Sequence, residues 1–422
     1  MAGYLPRIYD DRLRVLLSLF GGVLVEGPKW CGKTWTSRHV SASELSVADP
    51  KDNYATRKLV MADVSAALGG HRPRLIDEWQ EVPELWDAVR FEIDAAGERG
   101  LFVLTGSSNP PRGRTMHSGT GRIARLRMAP MTLSEAGVSQ GEVPFACLVS
   151  GQPLPRAENP LTLGEIASLC VRGGWPGNLE TPPDLCQELP RQYVLSLVNE
   201  DVSRYDDVAR DPIKMDLLLR SLARNNQTLV SKKTLLADIG QLSEPTLNSY
   251  LNVLTNLFVL RSIPAWSPAV RSRGRLRAAE KVRFVDPSLA LAALRVGTTR
   301  LVSDWETFGL MFECLVTRDI LAFTEVTGAK VFHYREAANQ GRREREVDLV
   351  VETSDDEYSL IEVKLNAAQI EDAEAALVDV SAKLVAGGAA PPLAQVIICG
   401  TVPYAYTTER GIKVIPFGCL GQ

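Results

Sequence analysis

Histidine is nearly missing from this chain, with four among 422 residues, and the seven cysteines are odd in number, scattered, and include no CxxC pair. Both scarcities argue against a zinc cluster and against a disulfide framework, so a reducing cytoplasm is the expected compartment. No run reaches the ~18 apolar residues that a membrane-spanning helix needs, and residues 1–7 lack the apolar core of a secretory leader. An excess of positive charge is also lacking. Lys and Arg number 47 against 51 Asp and Glu, a net charge of −4, so the chain is no basic nucleic-acid coat. Any polyanion contact has to come from a local patch.

What is present is ordinary for a globular protein, with 45% hydrophobic and 23% charged residues, in a length that calls for two or three cores. Against that background the stretch Gly27-Pro28-Lys29-Trp30-Cys31-Gly32-Lys33-Thr34 stands out. It follows an apolar segment, Gly22-Val23-Leu24-Val25-Glu26, and opens a helical one. A glycine-rich turn between strand and helix aims consecutive backbone N–H groups at a polyphosphate, Lys33 adds a point charge, and the Thr34 hydroxyl is a Mg²⁺ ligand. Residues 27–34 are therefore the expected nucleotide site. Trp30 and Cys31 are unusual fillers; Cys31 reads as a small side chain that fits, or as an oxidation-sensitive thiol.

Downstream, Arg74-Leu75-Ile76-Asp77-Glu78 reads as a short strand ending in two carboxylates. At the carboxyl edge of a parallel sheet, beside the phosphate loop, Asp77 would hold Mg²⁺ through water and Glu78 would polarise the attacking water. A further strand, residues 101–105, ends at Thr105 and runs into Gly106-Ser107-Ser108-Asn109. These polar groups either sense the terminal phosphate or form the turn. A flexible loop over residues 110–114 then leads to Gly119-Thr120-Gly121-Arg122 and a fifth strand, residues 123–128.

That order of phosphate loop, Asp-Glu strand, Thr-Gly-Ser tip and Gly-Arg before a last strand resembles the AAA+ ATPase core. With Met128-Ala129-Pro130-Met131-Thr132-Leu133-Ser134-Glu135 and Gly173-Gly174-Trp175-Pro176, the chain is similar to the bacterial and archaeal family that joins an AAA-type ATPase to a C-terminal DUF4143 domain. The resemblance implies ATP and Mg²⁺ as cofactors. It also places Arg122 where AAA+ relatives carry a finger that reaches the neighbouring subunit's ATP, which implies a homo-oligomer.

Residues 179–300 read as helices with short turns. Met215, Leu218, Leu219 and Leu222 share one helical face, Ser231 caps a second helix, and Ser243-Glu244-Pro245 opens a third. Strands over residues 259–263 and 282–285 follow. This is the pattern of a winged helix-turn-helix, a DNA-binding module or an interdomain packing unit. Between the strands, Arg271-Ser272-Arg273-Gly274-Arg275-Leu276-Arg277 is a local positive patch able to meet DNA phosphates.

From residue 301 onward the order is helix, strands, helix, strand. Side-chain alternation puts Glu362 and Lys364 on one strand face, beside Asp348 of the preceding strand, with Glu313 on an upstream helix. Two carboxylates and a lysine are what Mg²⁺-dependent phosphodiester hydrolysis uses. Asp348 followed by Glu362-x-Lys364, with Glu313, resembles the PD-(D/E)xK nuclease fold, to which DUF4143 domains are similar; Gln369 is an auxiliary candidate. An exposed ion pair, or a folded but inactive relative, is the competing reading. The expected architecture is α/β: an AAA+-type P-loop ATPase domain over residues 1–178, a winged-helix domain over 179–300 and a nuclease-like α/β domain over 301–422.

Overall fold

The computed structural model describes residues 3–110, 116–240, 242–268, 279–336, 344–354 and 357–422. They divide into two compact units. One comprises Met1–Pro130, Asn199–Arg210 and Tyr250–Val259, the other Met131–Val198, Asp211–Ser249 and Leu260–Gln422.

In the first unit, helix α1 (Tyr9–Leu19) buries Leu13, Leu16 and Leu17 and hands over to strand β1 (Gly22–Glu26), buried along its whole length. An unbroken apolar strand of this kind suits the middle of a parallel sheet covered on both faces. The sheet is completed by β2 (Ser43–Ser46), β3 (Arg74–Asp77), β4 (Phe102–Gly106) and β5 (Ile123–Arg127) in the order β2-β3-β4-β1-β5, every pair parallel. Helix α2 (Lys33–Val40) leaves β1 through the glycine-rich turn, α3 (Lys51–Ala62) follows β2, and α4 (Leu85–Ala96) follows β3. Leu85, Trp86, Val89 and Ile93 of α4 join Leu24, Ile76, Phe102 and Leu104 of the sheet in one core. Because β4 lies between β1 and β3, the phosphate loop, the tip of β4 and the end of β3 all emerge along one edge. The sheet thus gathers three sequence-distant segments at its carboxyl ends.

Residues 131–178, placed with the ATPase domain in the sequence reading, group with the second unit. Within the segment Met131 N–H donates to Gly174 O at 2.6 Å, and Leu133 N–H donates to Asp319 Oδ2 of the same unit at 2.9 Å. A Cβ on Gly174 would stand 2.2 Å from the Met131 carbonyl oxygen, so only glycine permits this approach. Next to it, Asp286 accepts from Gly174 N–H at 3.0 Å and pairs with the buried Arg318 at 3.0 Å, while Trp175 Nε1 donates to Ser288 Oγ at 2.9 Å. The Gly-Gly-Trp-Pro segment is a packing joint in this fold.

Helices Pro212–Arg224, Lys232–Ile239 and Glu244–Asn256 are followed by an antiparallel pair, β7 (Leu260–Ile263) with β8 (Lys281–Phe284), after the short β6 (Val143–Pro144) earlier in the chain. The arginine patch at 271, 273, 275 and 277, and the loop residues 111–114, lie outside the described residues. Helix Trp305–Thr327, buried over most of its length, leads to a six-stranded mixed sheet. Its strands are β9 (Lys330–Glu336), β10 (Arg345–Ser354), β11 (Glu357–Lys364), β12 (Gln395–Cys399), β13 (Tyr406–Thr407) and β14 (Lys413–Pro416), ordered β13-β14-β12-β11-β10-β9. Strands β9, β10 and β11 pair antiparallel, whereas β11, β12 and β14 pair parallel. The terminal β15 (Leu420–Gly421) returns to β6. Among the described residues no helix is long and apolar enough to cross a membrane.

Candidate active site

The phosphate loop is built on two glycines that no other residue replaces cheaply. Gly27 has φ +155°, with its missing Cβ only 2.3 Å from the Met128 carbonyl oxygen, and Gly32 has φ +101° at the start of α2. Trp30 also sits at positive φ, 65°, and is more than half exposed, whereas Cys31 is fully buried. Arg7, a residue the sequence reading passed over, braces the loop: its Nη1 donates to Cys31 O at 2.6 Å and its Nη2 to Ala129 O at 3.0 Å. Lys33 is buried and its ammonium donates to Pro28 O at 2.8 Å, lying across the turn. Lys29 points elsewhere and pairs with Asp201 at 2.6 Å.

Thr34, Asp77 and Thr105 converge. Asp77 Oδ1 accepts from Thr34 Oγ1 at 2.8 Å and from Thr105 Oγ1 at 2.5 Å, so three segments meet on one carboxylate. Burial pushes the Asp77 carboxyl above its ordinary range, and the two hydroxyl donors oppose that rise. Hydroxyl and carboxylate oxygens side by side at a phosphate loop are a hard-donor set that fits Mg²⁺.

Glu78 takes the left-handed conformation, φ 56° and ψ 47°, a costly choice for a non-glycine residue. Its N–H donates to Thr105 Oγ1 at 3.1 Å, and its Oε2 accepts from Ser107 Oγ at 3.0 Å and from Gln80 Nε2. The strand-tip residue Ser107 thus bonds the Glu78 carboxylate directly. Gln80 was not legible as a partner in the sequence, because only the left-handed turn at Glu78 folds it back on the carboxylate.

Arg122 lies at the opposite edge. In the parallel register Ile123 faces Gly22 and Arg127 faces Glu26, so Arg122 precedes the amino end of β5. It is roughly 16 Å, the length of a five-residue strand, from the phosphate-loop edge. Its side chain bonds Asp94 at 2.8 Å and is half exposed. It does not reach the phosphate loop of its own chain.

In the second unit, strand alternation does bring Asp348, Glu362 and Lys364 together. Lys364 Nζ lies 2.5 Å from Glu362 Oε2 and 3.4 Å from Asp348 Oδ2, which also accepts from Val363 N–H at 2.8 Å. Glu313 approaches from its helix, but its nearest charge partner is Lys281 of β8, at 3.7 Å. Lys281 also pairs with Glu346 at 2.8 Å and is buried. The sequence carries no signal for it, since β8 precedes the nuclease-like segment. Gln369 caps the turn at Asn366 and contributes no bond to the cluster. Burial, followed by the Asp348 charge, pushes both Glu313 and Glu362 up to about 8. Asp348 is held below the ordinary range: burial works against this, but Lys364 and Lys281 outweigh it. Among the described residues no group of three His, Cys, Asp or Glu is arranged to hold a metal ion.

Comparison with known proteins finds three matching segments. Residues 20–137 match the AAA domain model, residues 164–300 a domain of unknown function, DUF8612, and residues 308–420 the domain of unknown function DUF4143. Two curated relatives, the uncharacterized proteins Rv2008c of Mycobacterium tuberculosis and Mb2031c of Mycobacterium bovis, are each 24% identical over 352 residues, covering 82% of this chain and 71% of theirs. Among solved structures, the Walker-type ATPase PABY2304 of Pyrococcus abyssi aligns at 12% identity over 69% of this chain and 96% of its own, with a TM-score of 0.43. The FIGL-1 AAA domain aligns at 16% identity over 60% and 84%, with a TM-score of 0.23. With the phosphate loop and the Asp77–Glu78 strand inside the first match and the Asp348–Glu362–Lys364 strands inside the last, the chain combines an N-terminal AAA-type ATPase domain with a C-terminal DUF4143 domain.

Proposed function

We propose that this chain is a Mg²⁺-dependent ATP hydrolase that works as a homo-oligomer and couples nucleotide turnover to DNA binding. The observation that carries the reading is the meeting of Thr34, Thr105 and Asp77 on one carboxylate beside the phosphate loop. The roles follow from position. Lys33 would leave the Pro28 carbonyl for the outer phosphates, and Thr34 and Asp77 would hold Mg²⁺, which would supply charge neutralisation at the phosphates. Glu78, oriented by Gln80 and Ser107, draws the proton side of the attacking water. Arg122, on the far edge of its own sheet, serves a neighbouring protomer's site. The arginines at 271, 273, 275 and 277 support DNA contact by charge alone. ATP turnover measured with and without single-stranded, duplex and branched DNA tests the reading. Stimulation by one DNA form is expected, and absence of turnover under every condition rules it out.

A second reading makes the chain an ATP-switched scaffold whose nuclease-like domain binds without cutting. It is favoured by Lys281, buried in the bay that metal-dependent cleavage requires. Incubation of DNA with the protein and Mn²⁺ separates the two for this domain. Nicking that Asp348→Ala removes assigns cleavage to it; intact DNA leaves it a docking role.

A further inference from the structure

A buried lysine with no water to solvate it has to be balanced by carboxylates placed around it, and Lys281 is about 2% exposed. It reaches its place from outside the DUF4143 segment. Strand β8 sets Lys281 opposite Ile263 of β7, and that pair is fastened to β9 by Trp266 N–H to His333 O at 2.7 Å and His333 N–H to Pro264 O at 3.0 Å. The His333 ring adds a bond with Ala279 O at 3.0 Å, two residues before the lysine. The ammonium is thereby delivered by a fixed scaffold.

Carboxylates surround it. Glu346 lies at 2.8 Å and Glu313 at 3.7 Å from Lys281 Nζ, and Glu313 Oε1 has no hydrogen-bond partner among the described residues. Glu362 and Asp348 face the second ammonium, Lys364, at 2.5 and 3.4 Å, and one Asp348 oxygen is shared with Val363 N–H. Four carboxylates thus meet two ammoniums. Mg²⁺ requires near-octahedral oxygen donors at ~2.0–2.1 Å, with several retained waters. This donor set does not offer that: the Glu313 side of the bay is closed by a side chain carrying its own positive charge.

We propose that Lys281 is a resident cation: its ammonium pairs with Glu313, the helix carboxylate a hydrolytic site would offer a divalent metal, while Lys364 pairs with Asp348 and Glu362, so that the DUF4143 domain as folded does not bind Mg²⁺ or Mn²⁺. Removing the Lys281 ammonium leaves Glu313 and Glu346 without their buried cation, and a divalent ion can then take its place.

The test uses the full chain without nucleotide, so that it is independent of ATP turnover, and the probe is Mn²⁺ itself. Binding followed by electron paramagnetic resonance should show no saturable site in the native protein that Asp348→Asn removes. Lys281→Gln should gain one such site. The same variant is expected to melt lower than the native chain, and Mn²⁺ at a hundredfold excess over its Kd should raise its melting temperature by roughly 5–10 °C while leaving the native protein unmoved. Lys281→Arg, which keeps the charge, should gain no site. A double variant, Lys281→Gln with Glu346→Gln, removes one group of each sign and serves if the single variant does not fold; with the ammonium gone it should bind Mn²⁺ through Asp348. An Asp348-dependent Mn²⁺ site in the native chain overturns the proposal, as does failure of both Lys281→Gln variants to bind or be stabilised by Mn²⁺.

Discussion

Thr105 Oγ1 donates a 2.5 Å hydrogen bond to Asp77 Oδ1 and at the same time accepts the Glu78 N–H at 3.1 Å. One hydroxyl on the central strand β4 thus fixes Asp77 at the end of β3 and Glu78 just after it, the residue that would hold the metal and the residue that would activate water. Thr105→Val keeps the shape and deletes the donor. Turnover should fall about tenfold or more, the cost of one charge-assisted hydrogen bond, with ATP affinity little changed. Steady-state kinetics with a fluorescent-nucleotide binding assay reads both. An unaltered kcat would remove Thr105 from the site.

Lys33 and Glu78 should separate binding from chemistry. Lys33→Ala removes the cation that meets ground-state phosphates and should abolish ATP binding, whereas Glu78→Gln should retain binding and lose about 10²–10⁴-fold in turnover. Gln80→Ala, which frees the Glu78 carboxylate from one of its two side-chain donors, should give a smaller loss of kcat. Normal turnover in Glu78→Gln would move the catalytic base elsewhere.

Arg122 stands a strand length away from the phosphate loop of its own chain, so under the proposed function it would act on a neighbour's site. Arg122→Ala should lower turnover without weakening nucleotide binding. Mixing Arg122→Ala with Glu78→Gln protomers should recover part of the activity, because some interfaces then pair an intact Glu78 with an intact arginine. A strict monomer by light scattering with ATP and DNA present contradicts this, as does an unrecovered mixture.

The second unit should be less stable at alkaline pH. Glu313 and Glu362 stand at about 8 in the fold, so between ordinary glutamate values and pH 8 the native chain holds protons that the unfolded chain has released. The unfolded state binds fewer protons over that window, and stability therefore falls as pH rises through it. Glu362→Gln cannot ionise and should flatten part of the slope in denaturant midpoints recorded from pH 5 to 8.5. An identical slope in the variant would assign the pH dependence to other groups.

The local motifs were legible in the sequence because their chemistry is carried by adjacent residues. A glycine-rich turn between an apolar strand and a helix has one geometry, and a strand that ends in Asp77-Glu78 delivers both to the sheet edge whatever its neighbours are. Strand alternation likewise set Glu362 and Lys364 on one face, and three helices followed by two strands were readable from apolar periodicity and caps. Pairings between distant segments were not legible. That β4 enters between β1 and β3, and so lays Thr105 on Asp77, is a fact of sheet order, which no local pattern encodes. The return of Gln80 onto Glu78 depends on one residue accepting a left-handed backbone. Gly174 entered the sequence analysis only as part of a family-resembling stretch, and its close approach to Met131 is decided by packing. The burial of Lys281 against Glu313 and Glu346 joins positions 32 and 65 residues apart through a strand pair that belongs to another segment of the chain. Only the tertiary packing could place a charge there, because a lysine's sequence neighbours do not say which carboxylates will be left to balance it once water is gone.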